Sequence, residues 1–240
     1  MRQKIGFTLS EVLITLVVIG VIAAIAVPLI YANYQKKVYV VQLKKSYKTV
    51  VSGFRSLMAK EGVLRISETS LWQNKDDEGA LQSEMAQAFI ILKQYGVGKA
   101  GGDDAVNYKC LNMNSINGSI HNWSPTFLND GSILYYSFKN DPYYPQYRPD
   151  ENKPADLGNI WIDVNGIKPP NKIGRDLFQF VLYDDGSLHG MASRYYWKWD
   201  QGRHFWKTST NSQFNCSTKA SSCGVGCAGR IMEENWEMRY

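Results

Sequence analysis

Histidine is scarce in this chain, and the patterns that most often carry chemistry are missing. Only His121, His189 and His204 occur among the 240 residues. None stands in an H-E-x-x-H helix, and there is neither a G-x-S-x-G elbow nor a phosphate-binding P-loop. Nothing in the sequence therefore points to a helical zinc protease, a P-loop NTPase, or a Ser/His/Asp or Cys/His arrangement. Function has to be argued from a site, and no catalytic site is visible, so neither an enzyme activity nor a cofactor is expected. Charge of one sign is also lacking. The formal net charge of +5 is small and dispersed, too little to argue for nucleic-acid binding. No internal repeat and no low-complexity tract occurs. One stretch lacks charge entirely: nothing between Glu11 and Lys36 is acidic or basic.

What fills that stretch is apolar. Val12 to Ile30 is interrupted only by Thr15, Gly20 and Pro28. A helix across the uncharged gap rises about 36 Å at 1.5 Å per residue, enough to cross a hydrocarbon core of about 30 Å. The spacing predicts a transmembrane part over about residues 12–34. A short basic segment, Met1-Arg2-Gln3-Lys4-Ile5-Gly6, precedes it. A secretory signal peptide would account for the basic start and for Ala24-x-Ala26 as a cleavage site. Against it, the run is long for such a segment and a carboxylate sits at its entrance. A plain single-span anchor accounts for the hydrophobicity but leaves Glu11 unexplained.

Gly6-Phe7-Thr8-Leu9-Ser10-Glu11 followed by an apolar run resembles the prepilin processing motif of type IV pilins and of type II secretion pseudopilins. The likeness is close over roughly the first 60 residues and covers only general layout beyond them. The resemblance implies that residues 1–6 are a leader, that a prepilin peptidase cuts between Gly6 and Phe7, and that the new Phe7 amine is methylated. Cleavage removes Arg2 and Lys4, lowering the formal charge of +5 by two. It also places an ammonium four residues before Glu11. A carboxylate at the edge of a hydrocarbon layer needs a partner. The partner the resemblance suggests is the Phe7 amine of a neighbouring subunit, a pair that would fix the stagger between copies. In the free monomer, solvation in the headgroup layer or pairing with its own terminus is the alternative. Pro28 matches a proline common in the family, where it permits local curvature or melting of the helix. Elsewhere it would be a tolerated kink.

The helix is expected to continue past the span, so that residues 7–60 form one long helix and 61–240 a globular head. Val40, Leu43, Tyr47, Val50, Val51, Phe54, Leu57 and Met58 recur at spacings of three and four, an amphipathic stripe that would pack on the head. Lys36, Lys37, Lys44, Lys45, Lys48 and Arg55 lie between them and read as a solvated face rather than a nucleic-acid groove. Nucleic acid is therefore not an expected partner. Lysines directly after the span run against the positive-inside tendency. The resemblance implies the opposite orientation, a cytoplasmic leader and an exported head.

In the head, Gly62 marks a helix stop. A second amphipathic helix is expected with Leu81, Met85, Phe89, Leu92 and Tyr95 on one face, ended by Gly96. Strands are expected over Ser132–Tyr136, Asn159–Val164 and Leu177–Tyr183, bounded by Asn-Asp-Gly, Asn-Gly and Asp-Asp-Gly turns. A hairpin is expected about Asp200-Gln201-Gly202. Asp141 to Pro154 reads as an exposed loop, and Ile231 to Tyr240 as a short helix covering the sheet. The expected class is α+β: a long helix, membrane-spanning in its first half, on a C-terminal antiparallel sheet, the lollipop layout of pilin-like proteins.

Cys110, Cys216, Cys223 and Cys227 all follow the span. An even count in an exported domain favours two disulfides, with three connectivities open. The C-x3-C of Cys223 and Cys227 has no histidine following at zinc-finger spacing. Some pseudopilins hold calcium in C-terminal loops, and Asp163, Asn165 and Asp176 are the residues such an ion would use here. The D-x-[DN]-x-[DN]-G pattern with its distal Glu is absent, so a strand-end turn is the better reading and no metal is expected.

The sequence thus reads as a structural subunit of a type IV pilus or type II secretion pseudopilus. The expected setting is a single-pass anchor in the inner membrane with the head outside the cytoplasm, then the filament. Its partners would be homologous subunits, the prepilin peptidase, an inner-membrane assembly platform and membrane lipids. The alternative is a minor or tip subunit acting as an adhesin or DNA-uptake module. A weaker alternative is a monomer that uses the span as a tether.

Overall fold

The structure, a computed structural model, describes residues 8–96, 106–112, 123–138, 156–190, 216 and 223–240. The expected hairpin about Asp200 and the loop from Asp141 to Pro154 lie outside these residues. The chain forms two units, divided between Val38 and Tyr39, and the division falls inside the first helix.

Helix α1 runs from Leu9 to Glu61. In the first unit its apolar residues have nothing to pack on: Leu13, Ile14, Val17, Ile22 and Ile25 all stay more than half exposed. Among the described residues this is the one helix long and apolar enough to cross a membrane. Beyond Tyr39 the same helix is amphipathic. Val40, Leu43, Val50, Phe54, Leu57 and Met58 are buried, and Tyr47 and Val51 pack at the margin, as their spacing requires. Gly53 is buried among them, where the Phe89 ring occupies the space a β-carbon would take. That ring meets Phe54 edge to face with centroids 5.3 Å apart. The helix ends in a Schellman motif. The Gly62 amide donates to the Ala59 carbonyl, the Val63 amide donates to the Met58 carbonyl, and Gly62 takes the left-handed conformation at φ 71°.

A 3₁₀ turn over Ile66–Glu68 and two helices follow, α2 (Ser70–Gln73) and α3 (Glu78–Ala88). Asp77 caps α3, its carboxylate accepting from the Ala80 amide at 2.8 Å. The expected helical face through Leu92 and Tyr95 is not formed. Leu81 and Met85 are buried on α3, but Phe89 already has extended backbone, and Ile91–Gln94 is strand β1. The β-branched pair Ile90-Ile91 favours that change of period.

Six strands pair antiparallel in chain order: β1, β2 (Ser124–Leu128), β3 (Ile133–Ser137), β4 (Asp156–Asp163), β5 (Leu177–Tyr183) and β6 (Leu188–Gly190). Strand alternation assigns the faces. Leu134, Tyr136, Ile160, Ile162, Phe178, Phe180 and Leu182 join the core with the second half of α1, α3 and helix α4 (Cys227–Glu233). Ile133, Tyr135, Trp161 and Leu177 face the other way, under Val106, Tyr108 and Ile173. β1 is an edge strand, and its register against β2 slips at Leu92, which is 71% exposed. The C-terminal helix begins earlier than expected and stops at Glu233, because Asn235 and Trp236 have left-handed backbone. The chain is thus α+β, a long N-terminal helix followed by a six-stranded antiparallel sheet.

Candidate functional site: the start of the long helix

Gly6 and Phe7 lie outside the described residues, so the site is built from Thr8 onward. Thr8 precedes the first helical residue, and Glu11 stands three positions later. The Glu11 amide points at the Thr8 hydroxyl oxygen at 3.4 Å. In return the Thr8 amide donates to Glu11 Oε2 at 2.8 Å, and the Thr8 hydroxyl donates to the same oxygen at 2.7 Å. This is a capping box: the threonine opens the helix and the glutamate reaches back to cover the threonine's own amide. T-x-x-E before an apolar run is its sequence signature, and the signal lies in residues 8–11. The role of Thr8 was nonetheless missed, because the same four residues were read only as part of a processing motif.

The capping box gives Glu11 a partner inside its own chain. Both donors converge on Oε2, and the side chain as a whole is exposed. The carboxylate also lies in the first turn, where the helix dipole favours negative charge. Along the rod, the Thr15 hydroxyl donates back to the Val12 carbonyl at 2.9 Å, satisfying one polar group within an apolar surface. Pro28 lies within α1 and the helix runs on past it. Having no N–H, it leaves the carbonyl one turn before it without its helical donor.

The residues read as calcium ligands do come together, at the turn between β4 and β5; the carboxylates of Asp163 and Asp176 already accept from the protein, whereas the buried Asn165 Oδ1 has no hydrogen-bond partner among the described residues. Asp163 Oδ2 accepts from the Tyr108 hydroxyl at 2.6 Å, and Oδ1 accepts from the Asn165 amide at 3.0 Å. Asp176 accepts from the Asn171 and Lys172 amides at 2.7 and 2.6 Å. The Asn165 side-chain amide donates to the Lys168 and Pro169 carbonyls. Among the described residues no group of three or more His, Cys, Asp or Glu is placed to hold a metal. The carboxylates pin the turn. Burial pushes the Asp163 carboxyl well above the ordinary range, the charge of Asp176 adding to it, while donors from Tyr108, Asn165 and Gly166 oppose the shift. Tyr108 and Tyr135 bring their hydroxyls within 3.0 Å and extend this network across the sheet face. Tyr108 and Asp163 are far apart in sequence, so no local pattern announces their contact.

The cysteines pair as Cys110–Cys223 and Cys216–Cys227. Together they fasten α4 and the chain around it to the segment after Tyr108. The Tyr240 hydroxyl donates to the Gly174 carbonyl at 2.8 Å, and its ring lies between Arg175 and Arg230, closing the same end of the sheet.

The site thus combines a capped polar start with an exposed apolar helix, and a disulfide-stapled α+β unit follows. Residues 1–27 match the family model described as the prokaryotic N-terminal methylation motif, the signal motif of type IV pilins and pseudopilins. The match supports a precursor of that kind and implies processing by a prepilin peptidase and assembly with other pilins. The apolar helix fits the inner-membrane anchor of such a protein. Neither a curated protein nor a solved structure gives a match to the chain.

Proposed function

We propose that this chain is a structural subunit of a helical filament, a type IV pilus or a type II secretion pseudopilus. It is anchored by α1, cut between Gly6 and Phe7, methylated on the Phe7 amine and polymerised through the helix. The observation that carries this reading is the combination at the helix start. An acid that a plain anchor would not need sits, exposed, at the entrance of an otherwise uncharged rod, with one carboxylate oxygen held by Thr8. In the filament, Oε1 of Glu11 accepts from the methylated Phe7 amine of a neighbour, and neither charge is then buried alone. The rods bury their apolar surfaces against one another, at about 25 cal/mol per Å2 taken from water. The polymerisation motor is a separate ATPase on an inner-membrane platform, since this chain carries no nucleotide motif.

Intact mass and N-terminal sequencing of the membrane-extracted protein test the reading. The expected product begins at Phe7 and carries one methyl group on its amine. A chain that keeps Met1, or one that starts after Ala26, would remove the proposal.

A further inference from the structure

The second half of α1 carries a charge pattern that the anchor does not use. From Lys36 to Lys60 there are seven basic residues and no acidic one. Lys44, Lys48 and Arg55 stand at i, i+4 and i+11, so they form one ridge about 16 Å long beside the buried stripe of the helix. All three are exposed. Lys44 lies over the Trp236 ring at 5.8 Å, while Lys48 and Arg55 have no ion-pair partner among the described residues. The segment immediately after α1 has the opposite sign. Between Glu61 and Ala88 six acids face only Arg65 and Lys75. Asp76, Asp77 and Glu78 are consecutive at the start of α3; Asp76, whose side chain is 74% exposed, has Lys75 Nζ at 3.2 Å, so three acids stand there beside one local cation.

We infer that the Lys44–Lys48–Arg55 ridge docks on the acidic start of α3, about Asp76 and Glu78, of a second copy of this chain. The inference rests on the filament reading and names the contact that guides it. Two ridges of one sign repel, so a two-fold contact of ridge on ridge is disfavoured. Ridge to acidic turn joins two different surfaces, and such a contact repeats without closing unless its rotation forms a ring. That is the geometry a filament needs. The one aromatic ring that the described residues place against the ridge, Trp236, is half-buried and lies under Lys44, so a run of stacked bases has no platform along Lys48 and Arg55 and a single-stranded nucleic acid is the poorer occupant. Complementary charge of this kind sets register and encounter rate more than raw affinity.

Charge reversal in the full-length chain, expressed with its own assembly system, tests the contact. Lys48→Glu with Arg55→Glu, and separately Asp76→Lys with Glu78→Lys, should each lower filament yield by about tenfold or more, and the four changes together should restore most of it. Asp77 is left in place because it caps α3. Carbodiimide treatment of membranes holding the unaltered chain gives a second reading that does not require filaments. It condenses a lysine ammonium with a carboxylate to an amide, with loss of water to the reagent. The expected product joins Lys48 of one copy to Asp76 or Glu78 of another, recognised by mixing isotopically light and heavy chains. Filaments without that product and without rescue would overturn the docking and leave the subunit reading standing. The product without filaments would keep the docking and sink the subunit reading. Unimpaired assembly of the ridge variant, with lost binding to single-stranded DNA or to anionic phosphatidylglycerol vesicles, would reassign the ridge to that ligand.

Discussion

Thr8 and Glu11 meet at a single atom: the amide and the hydroxyl of Thr8 both donate to Glu11 Oε2. The bidentate hold fixes which way the carboxylate faces before any neighbour arrives. It also makes one residue, chemically unremarkable by itself, the support of the residue on which assembly is proposed to depend.

Thr8→Val keeps the shape of the side chain and removes its hydroxyl. The expected outcome is normal processing with lower filament yield, because the Glu11 side chain loses one of its two anchors on the helix start. Thr8→Ser should restore the yield. Glu11→Ala should still be inserted and cut but should fail to assemble. Immunoblots of membrane and sheared-filament fractions measure all three. Full assembly by Glu11→Ala would remove the pairing of Glu11 with a neighbour's Phe7 amine from the proposal.

The buried Asp163 makes the stability of the head depend on pH, with a definite sign. Its carboxyl is raised in the folded protein, whereas in the unfolded chain it titrates near 3.9. Between those two values the folded state holds a proton that the unfolded state has released. Stability contributed by this group therefore falls as pH rises through the window, and levels off above the folded value. Denaturant midpoints of the membrane-extracted protein taken from mildly acidic to alkaline pH should decline. Asp163→Asn should flatten the profile. A midpoint that rises steadily across the same range would contradict the assignment.

Gly53 and Phe89 make a packing test. A methyl group at position 53 collides with the Phe89 ring, which is nearly buried against Phe54. Gly53→Ala should cost about 1–3 kcal/mol, the usual penalty for overfilling a core. Phe89→Leu should make the same change less costly, so the two effects should not add. Thermal unfolding of the four chains reads the coupling.

The two disulfides should differ in weight. Cys110–Cys223 spans a separation of 113 residues and Cys216–Cys227 one of 11. On the chain-entropy account, replacing the first pair by serines should cost about 2 kcal/mol more than replacing the second. Urea unfolding of the two double-serine variants decides it.

Much of the molecule is written locally. The 3.6-residue stripe of α1 predicts Val40, Leu43, Phe54 and Leu57 as buried, Gly62 marks the stop, and β5 occupies the span its apolar run predicts. What failed to show was of two kinds. At Phe89 the i+4 series of Leu81 and Met85 invites a helix to continue, and the strand pairing of β1 with β2 overrides it. Pairings between distant residues, such as Tyr108 with Asp163 or Cys110 with Cys223, leave no periodic trace. At the helix start the case is different, for the four residues that carry the capping box are contiguous, and the T-x-x-E signal was present in the sequence although the processing motif hid its capping role.

The slipped register at Leu92 has a further bearing. Copies held in the plane of a bilayer collide far more often than copies in solution, and a straight bare strand at the rim of each sheet would zip them together sideways. The kink at Leu92 and the ammonium of Lys93 spoil that seam. Growth through β1 is thereby discouraged, which would leave the rods, on the proposed function, as the route by which these molecules accumulate in order rather than as a tangle.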